Sequence, residues 1–424
     1  MNHLHVKYLL AGGGLAASSA ALAIRKLDAE GSILLIGQEA VRPYHRPPLS
    51  KQFLRREQGQ EELFAAPPGQ YSKLQIDLRT GRRVAHLDTP RRAVMLDDGQ
   101  EVAYDKLLIA TGASPRHLTI PGNHWPNVFY LRTIADTERL QHTIDQVKKE
   151  GRPHANGRGR GTVIGGGVLG VEVAASLTQL GLGVDLVIAP AHPWEKFAGE
   201  ATGRFVAKYL ENRGVTIHAN ARPQKLEGDG RAQRVLLDND WQIECDFVVA
   251  AVGAVANMQL LRGTPIAAEK AILVDDACRT NIEDIYAAGD VAAVFDPLFG
   301  KHRILDHWDN AQVTGTLAGR NMAGAGEHYD TVNLFFTDVF ELSANIWGEA
   351  RFVDRRLVRG TPNLDAPDFV EIGVGADGRV AQVIAVGHTG EDEALKDLVR
   401  RRVQTAEKEE ALKDPARPLS EFLA

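Results

Sequence analysis

The sequence predicts an α/β fold with two parallel-sheet units. Two observations predict it. At residues 12–14 and again at 165–167, a short apolar run leads into three glycines and then into a helical stretch of small residues. Each unit is followed by further apolar runs that end in small-residue turns. A chain of 424 residues is also too long for one ordinary core and calls for two or three domains. Its 41 glycines and 6% aromatic residues lean the same way, towards α/β architecture with many tight turns.

The first unit reads Val6-Lys7-Tyr8-Leu9-Leu10-Ala11, then Gly12-Gly13-Gly14-Leu15-Ala16-Ala17, then a helix to about Arg25. Strand, glycine turn and helix are the context that a dinucleotide-binding (Rossmann) fingerprint requires. Gly12 permits the sharp turn, Gly14 lets backbone approach a pyrophosphate, and Ala17 is small enough for close helix–strand packing. Helix N–H groups then face the phosphates. The second strand, Ile33–Ile36, ends at Gly37-Gln38-Glu39, where an acid is expected to hold a ribose; Glu39 or the neutral Gln38 must do it.

The second unit carries all three glycines: Thr162-Val163-Ile164, Gly165-Gly166-Gly167-Val168-Leu169-Gly170, then a helix that stops at Gly181. The strand Val184–Ile188 follows at the right distance. One such motif is weak evidence, but two in full context are hard to obtain by accident. Leu107-Leu108-Ile109 ends in Ala110-Thr111-Gly112, and Ile285-Tyr286-Ala287 ends in Ala288-Gly289-Asp290. Asp290 alone would be read as a helix cap. Beside two nucleotide units it favours a ribityl chain.

Composition excludes several classes. With 44% hydrophobic and 25% charged residues, the chain is a globular protein rather than a disordered one. A formal net charge of −6 gives no support for nucleic-acid binding. The basic run Arg400-Arg401-Arg402 has acidic neighbours and reads as a solvated helix face. Cys245 and Cys278 are the only cysteines and form no CxxC pair, so no metal set or disulfide framework is expected and a reducing compartment fits. Cys245 lies in an apolar run and reads as a buried small hydrophobe. The first strand begins almost at Met1, which leaves no room for a targeting peptide. No apolar run is long enough for a membrane span. A cytoplasmic enzyme is the expectation.

At these residues the chain resembles the FAD-dependent pyridine-nucleotide reductases, in the branch that holds ferredoxin reductases and apoptosis-inducing factor. The branch-specific motif is Arg46-Pro47-Pro48-Leu49-Ser50-Lys51, where thiol-using relatives place a redox cysteine and this chain has none. Ala110-Thr111-Gly112 with Arg116, Ala250-Ala251-Val252-Gly253, Ala287-Ala288-Gly289-Asp290 and Asp306-His307-Trp308-Asp309-Asn310-Ala311 also match. The similarity weakens only after about residue 350.

The resemblance implies two Rossmann-like domains of glutathione-reductase type plus a C-terminal α+β domain closing over the flavin. The FAD domain would comprise 1–124 and 253–328, the NAD(P)H domain 125–252, and the C-terminal domain 329–424. It further implies that Arg46 and Arg116 lie near the FAD phosphates and adenine side, and that Val84 touches adenine through its backbone. Asp290 would hold the ribityl chain or a phosphate-bound water, and His307 and Trp308 would present N–H groups to the flavin pyrimidine edge. Lys51 and Glu172 would pair beside flavin N5 and orient the nicotinamide; without the two motifs they would read as ordinary surface charges.

Several departures are informative. The strand Val184–Ile188 is followed by Ala189-Pro190, with neither the acid that reads NAD nor the arginine that reads NADP. Absence of the arginine favours NADH over NADPH. By resemblance, Lys196 matches a lysine near the dinucleotide in apoptosis-inducing factor, and His192 is close by. The family's Phe-Trp-Ser-Asp stretch, whose Trp shields the flavin, reads Phe335-Phe336-Thr337-Asp338 here, so Phe336 takes that position and its smaller ring is expected to leave the flavin more open to oxygen or to acceptors. The segment Glu150–Arg160 reads as a mobile, arginine-bearing linker.

The function expected is hydride transfer from NADH to FAD, then electron transfer to an external ferredoxin-type iron–sulfur protein, by a monomer or homodimer. No cysteine cluster exists to hold an iron–sulfur centre within the chain. The alternatives are an oxidoreductase like apoptosis-inducing factor that passes electrons to quinone or oxygen, and an NADH-sensing protein with a long-lived reduced complex.

Overall fold

The computed structural model describes residues 4–150, 159–387 and 390–423. Most of the Glu150–Arg160 linker lies outside the described residues. The chain divides into two compact units: Met1–Arg46 with Gln60–Ser114 and Ala254–Thr331, and Pro47–Gly59 with Pro115–Gly253 and Val332–Ala424.

The first unit is built on β1 (Leu4–Ala11), α1 (Leu15–Leu27), β2 (Ile33–Gly37), β3 (Ile76–Thr80), β4 (Val84–Asp88), β5 (Ala93–Leu96) and β6 (Glu101–Ile109). The sheet order is β3-β2-β1-β6-β5-β4, with the strand Ile285–Ala287 also paired to β6. β1, β2, β3, β6 and Ile285–Ala287 run parallel, whereas β4, β5 and β6 pair antiparallel. Leu9, Leu10, Leu34, Leu35, Leu107, Leu108 and Ile109 are all fully buried, as expected for strands covered on both faces. α1 packs against the helix Trp308–Met322 through small residues. A Cβ on Gly315 or Gly319 would stand 2.3 or 2.4 Å from the carbonyl oxygens of Ala16 and Ala20.

The second unit repeats the plan with β7 (Val128–Phe129), α2 (Ile134–Glu150), β8 (Arg160–Ile164), α3 (Val168–Gln179), β9 (Gly183–Val187), α4 (Glu200–Glu211), β10 (Val215–His218) and β11 (Phe247–Ala250). Its parallel sheet has the order β10-β9-β8-β11-β7. An antiparallel sheet follows, from β12 (Leu334–Val339), β13 (Leu342–Gly348), β14 (Arg355–Arg359), β15 (Phe369–Val374) and β16 (Val380–Val386), in the order β12-β13-β16-β15-β14. The two segments that the sequence reading separates at residue 329 share one core. Leu177, Phe205 and Tyr209 of the helices join Leu342, Ile346, Phe369 and Ile384 of the second sheet, and the rings of Phe205 and Phe369 meet edge to face at 5.1 Å.

In both units the chain winds outward from a central strand in two directions. β1 lies between β2 and β6, and β8 lies between β9 and β11. The carboxyl ends of β1 and β8 are therefore topological switch points, where such sheets open a crevice for ligands. Both glycine turns sit there.

Candidate functional site

The two glycine turns have the same internal geometry. Gly12 has φ +145°, and a Cβ there would stand 2.0 Å from the Ala110 carbonyl oxygen; Gly165 has φ +122° and would meet that of Ala251 at 2.2 Å. Only glycine fits where one strand end crosses the next so closely. The third glycine of each turn is different. Around a Cβ on Gly14 or Gly167 there is no protein atom within 4 Å, and each of these residues is the N-cap of its helix, α1 or α3. Neither cap is satisfied by a side chain. Two helix starts thus face open space that a side chain would fill, which fits a phosphate drawn to unpaired N–H groups and the helix dipole. Ala17 is fully buried, and a Cβ on Gly170 would fall 1.9 Å from the Gly165 oxygen, so both positions serve helix–turn packing. Leu15 is half-buried, Ala16 buried and Leu169 36% exposed.

Around the first turn, Glu39 rather than Gln38 is the organised residue. Gln38 is exposed, whereas Glu39 Oε2 accepts the Tyr44 hydroxyl at 2.6 Å and Oε1 accepts Arg46 Nη2 at 2.7 Å. Burial opposes the Arg46 charge, yet Tyr44, Glu39 and Asp290 together hold its pKa above the usual value. Val84 is buried at the start of β4. Ala110 is buried; Thr111 Oγ1 donates to the Asn257 carbonyl at 2.8 Å, and the Asn257 N–H donates to Gly112 at 2.9 Å. Asp290 lies in a 3-10 turn at Gly289–Val291 and caps no α-helix. The Gly289 N–H donates to Thr314 Oγ1 at 3.0 Å. His307 is the N-cap of the helix Trp308–Met322, and Trp308 Nε1 donates to His45 Nδ1 at 2.8 Å. Burial lowers the His307 imidazole pKa below its ordinary value, against the pull of Asp306 and Asp290.

In the second unit, Lys51 and Glu172 come together, and neither is a surface charge: they are 4% and 6% exposed. Lys51 Nζ lies 3.4 Å from Glu172 Oε1 and 3.1 Å from Asp338 Oδ2, with the Phe336 ring centroid 5.0 Å away. Glu172, in the second turn of α3, accepts Ser50 Oγ at 2.6 Å and Thr337 Oγ1 at 2.9 Å. Burial pushes the Glu172 carboxyl above its ordinary range, while Lys51, Ser50 and Thr337 hold it down. The loop that carries Lys51 is anchored at several points. Ser176 Oγ donates to the Ser50 carbonyl at 2.7 Å, and Gln141 Nε2 donates to that of Phe53 at 2.6 Å.

Sequence reasoning missed Ser50, Thr337 and Asp338 as partners of this pair. All three stand in stretches already singled out, but no spacing rule joins residues 50, 172 and 338. Arg116 is exposed and belongs to the second unit, where its N–H donates to the Gly253 carbonyl at 2.8 Å. Gly166 packs against Ile188, and Lys196 is exposed in the loop after β9. His192 is buried, its Nδ1 3.0 Å from the Pro193 carbonyl oxygen.

Residues 6–315 match the model of the pyridine nucleotide-disulphide oxidoreductase family. The chain belongs to this family. It is accordingly an FAD-dependent NAD(P)H oxidoreductase. It is 30% identical to the anthranilate 1,2-dioxygenase system ferredoxin–NAD(+) reductase component of Burkholderia cepacia, over 98% of this chain and 99% of the relative. To the rubredoxin-NAD(+) reductase of Pseudomonas putida it is 29% identical, over 82% of this chain and 88% of that one. Among solved structures, a chain of the covalent putidaredoxin reductase–putidaredoxin complex superposes with a TM-score of 0.90 at 27% identity, covering 99% of this chain and 98% of that chain.

The disulphide in the family's name has no counterpart in this oxidoreductase. Cys245 and Cys278 are free, 1% and 0% exposed, each in the core of a different unit. Burial pushes the Cys245 thiol to about 12 and the Cys278 thiol far above its ordinary value. Thiols so buried and so protonated are inert. No helix among the described residues is long and apolar enough to cross a membrane. No cluster among them could hold a metal ion.

Proposed function

We propose that this chain oxidises NADH and delivers the electrons to a small iron–sulfur protein of the ferredoxin or rubredoxin class, in a reducing compartment such as the cytoplasm. The observation that carries the reading is the burial of both cysteines. With no thiol within reach of reduction, the electrons must leave the chain. The relatives named as ferredoxin and rubredoxin reductases support that destination over quinone or oxygen.

In this reading the Gly12–Ala17 turn and the start of α1 hold the FAD pyrophosphate. Glu39 takes the adenosine ribose, Arg46 faces the phosphates and adenine side, and the Val84 backbone meets the adenine. Ala110, Thr111 and Gly112 line the flavin side, Gly289 and Asp290 hold the ribityl chain, and the backbone at His307 and Trp308 meets the pyrimidine edge. FAD, when bound, supplies the exchange between two-electron and one-electron chemistry. The Gly165–Gly170 turn, with Leu169, Lys196 and Gly253, takes the nicotinamide dinucleotide.

Lys51 and Glu172 stand a short way along α3 from that turn. Ser50 and Thr337 fix both carboxylate oxygens of Glu172, so the group points one way and needs no reorganisation when the nicotinamide arrives. The Lys51 ammonium places a positive charge in a buried site where negative charge develops on the acceptor side. The Phe336 ring lies beside it, 5.0 Å from Lys51 Nζ, and being smaller than a tryptophan it leaves the site more open to an acceptor.

Anaerobic addition of NADH to the purified holoprotein, followed by a panel of ferredoxins and rubredoxins, tests the reading. The flavin should bleach with NADH and recover its colour as a carrier is reduced. Bleached flavin that no carrier reoxidises, but that quinone or air does, would overturn the assignment of the acceptor.

A further inference from the structure

The end of β9 carries no carboxylate, and the next acid along the chain is Glu195 in the loop beyond it. β9 ends at Val187 and is followed by Ile188, Ala189, Pro190 and Ala191. Ile188 is fully buried, and the three residues after it carry no group that can read a sugar diol. The chain then folds back onto the glycine turn. The Trp194 N–H donates to the Gly166 carbonyl at 2.9 Å. A Cβ on Gly166 would lie 2.7 Å from Ile188 Cγ2 and 3.6 Å from Pro193 Cα. Strand end, returning loop and glycine turn are therefore in mutual contact.

Trp194 makes the return in a left-handed backbone conformation, φ +62°, which is costly for a bulky residue. Its burial to 1% exposure and its ring contact with Phe197 at 5.6 Å hold it there. The next side chain, Glu195, reaches backwards. Its Oε2 accepts the Ala191 N–H at 2.9 Å, which sets the carboxylate over the crest that follows β9. Its Oε1 carries no hydrogen bond among the described residues, and the residue is exposed. An acid at the end of this strand is what reads the ribose 2′-hydroxyl in dinucleotide-binding units.

We propose that Glu195 is the ribose-reading residue of the nicotinamide dinucleotide site, and that it sets a preference for NADH over NADPH. The inference rests on the reading of Gly165–Gly170 as that site. A carboxylate only accepts hydrogen bonds, so it suits the two hydroxyls of an unmodified ribose. It repels a 2′-phosphate, since like charges placed together are strongly disfavoured. The bland alternative is a surface glutamate that only caps the loop N–H.

Glu195→Gln separates the two, because its amide oxygen can still accept from Ala191 while the charge is lost. Calorimetric titration of the flavin-loaded protein with ADP-ribose and with its 2′-phosphorylated form gives a readout independent of turnover. The wild type should prefer ADP-ribose. In Glu195→Gln, affinity for ADP-ribose should fall about tenfold while that for the phosphorylated form holds or rises, at an unchanged unfolding midpoint. A ratio of the two affinities that stays at the wild-type value would overturn the proposal. So would a loss seen only in Glu195→Ala and accompanied by a lower midpoint, since the role would then be structural. Wild-type protein that binds neither ligand would instead overturn the nicotinamide-site reading itself.

Discussion

Lys51 lies between two carboxylates, with Nζ 3.4 Å from Glu172 Oε1 and 3.1 Å from Asp338 Oδ2. The two acids are not equivalent. Glu172 is buried and held by two hydroxyls, whereas the Asp338 side chain is 44% exposed. The buried acid is the one whose charge depends on the lysine.

Replacing Lys51 by Met should expose that dependence as a change in the pH profile of stability. The Glu172 pKa is already raised in the folded state, chiefly by burial, and Lys51 is the largest influence pulling it back. A carboxyl with a raised folded pKa contributes stability below its unfolded pKa and loses it as pH rises through the folded value. Removing the lysine raises the folded pKa further, so Lys51→Met should lose more stability than the wild type as pH rises out of the ordinary carboxyl range. Denaturant unfolding at rising pH measures it. Flavin reduction by NADH should slow at the same time with FAD still bound, and Glu172→Ala should do likewise; an unaltered rate would remove the pair from the nicotinamide.

Thr337→Val removes one of the two hydroxyls on Glu172 at nearly constant shape. Thr337 is 1% exposed, so its loss leaves a buried carboxylate oxygen with one donor fewer. The expected cost is about 1–3 kcal/mol in unfolding free energy. A loss below about 0.5 kcal/mol, the scale of an ordinary surface substitution, would mean that the hydrogen bond is not formed in solution.

Valine scanning of the glycine turns should split each motif in two. Gly14→Val adds a side chain where no protein atom lies, so the protein should fold and lack FAD. Gly167→Val should stay yellow but fail to be reduced by NADH. Gly12→Val and Gly170→Val would drive Cβ into backbone at 2.0 and 1.9 Å, and should yield little folded protein. Flavin absorbance per protein, together with circular dichroism, distinguishes these outcomes. A yellow Gly14→Val protein would contradict the FAD assignment.

Replacing both cysteines by alanine should leave electron transfer to a carrier intact. Both thiols are buried and held protonated, so neither can take part. A fall of more than about tenfold in carrier reduction, with normal flavin content and no loss of stability, would bring thiol chemistry back into the mechanism.

The fingerprints are legible in the sequence because they rest on local rules. A strand, a tight turn that only glycine permits and a helix start follow one another along the chain, and their spacing is set by backbone geometry. The different duties of Gly12 and Gly14 therefore follow from their places in the motif alone. The absence of a redox thiol is legible too, since it is a matter of counting. Asp290 is ambiguous in the sequence between a helix cap and a ligand contact, and the 3-10 turn at Gly289–Val291 removes the cap. Position does not tell Glu39 and Gln38 apart; the hydrogen bonds of Tyr44 and Arg46 distinguish them.

By itself, then, the sequence determined two dinucleotide turns, an α/β architecture and electrons that must leave the chain. Tertiary structure alone decided which side chains meet one another around these turns. Ser50, Glu172 and Thr337 meet because a loop, a helix and a late strand are packed by one core. Glu195 Oε2 meets the Ala191 N–H within a loop that the Trp194 N–H ties to the Gly166 carbonyl. Such partners are chosen by burial, since a charge taken out of water must find donors wherever the fold brings them, and that choice leaves no periodicity in the sequence to read.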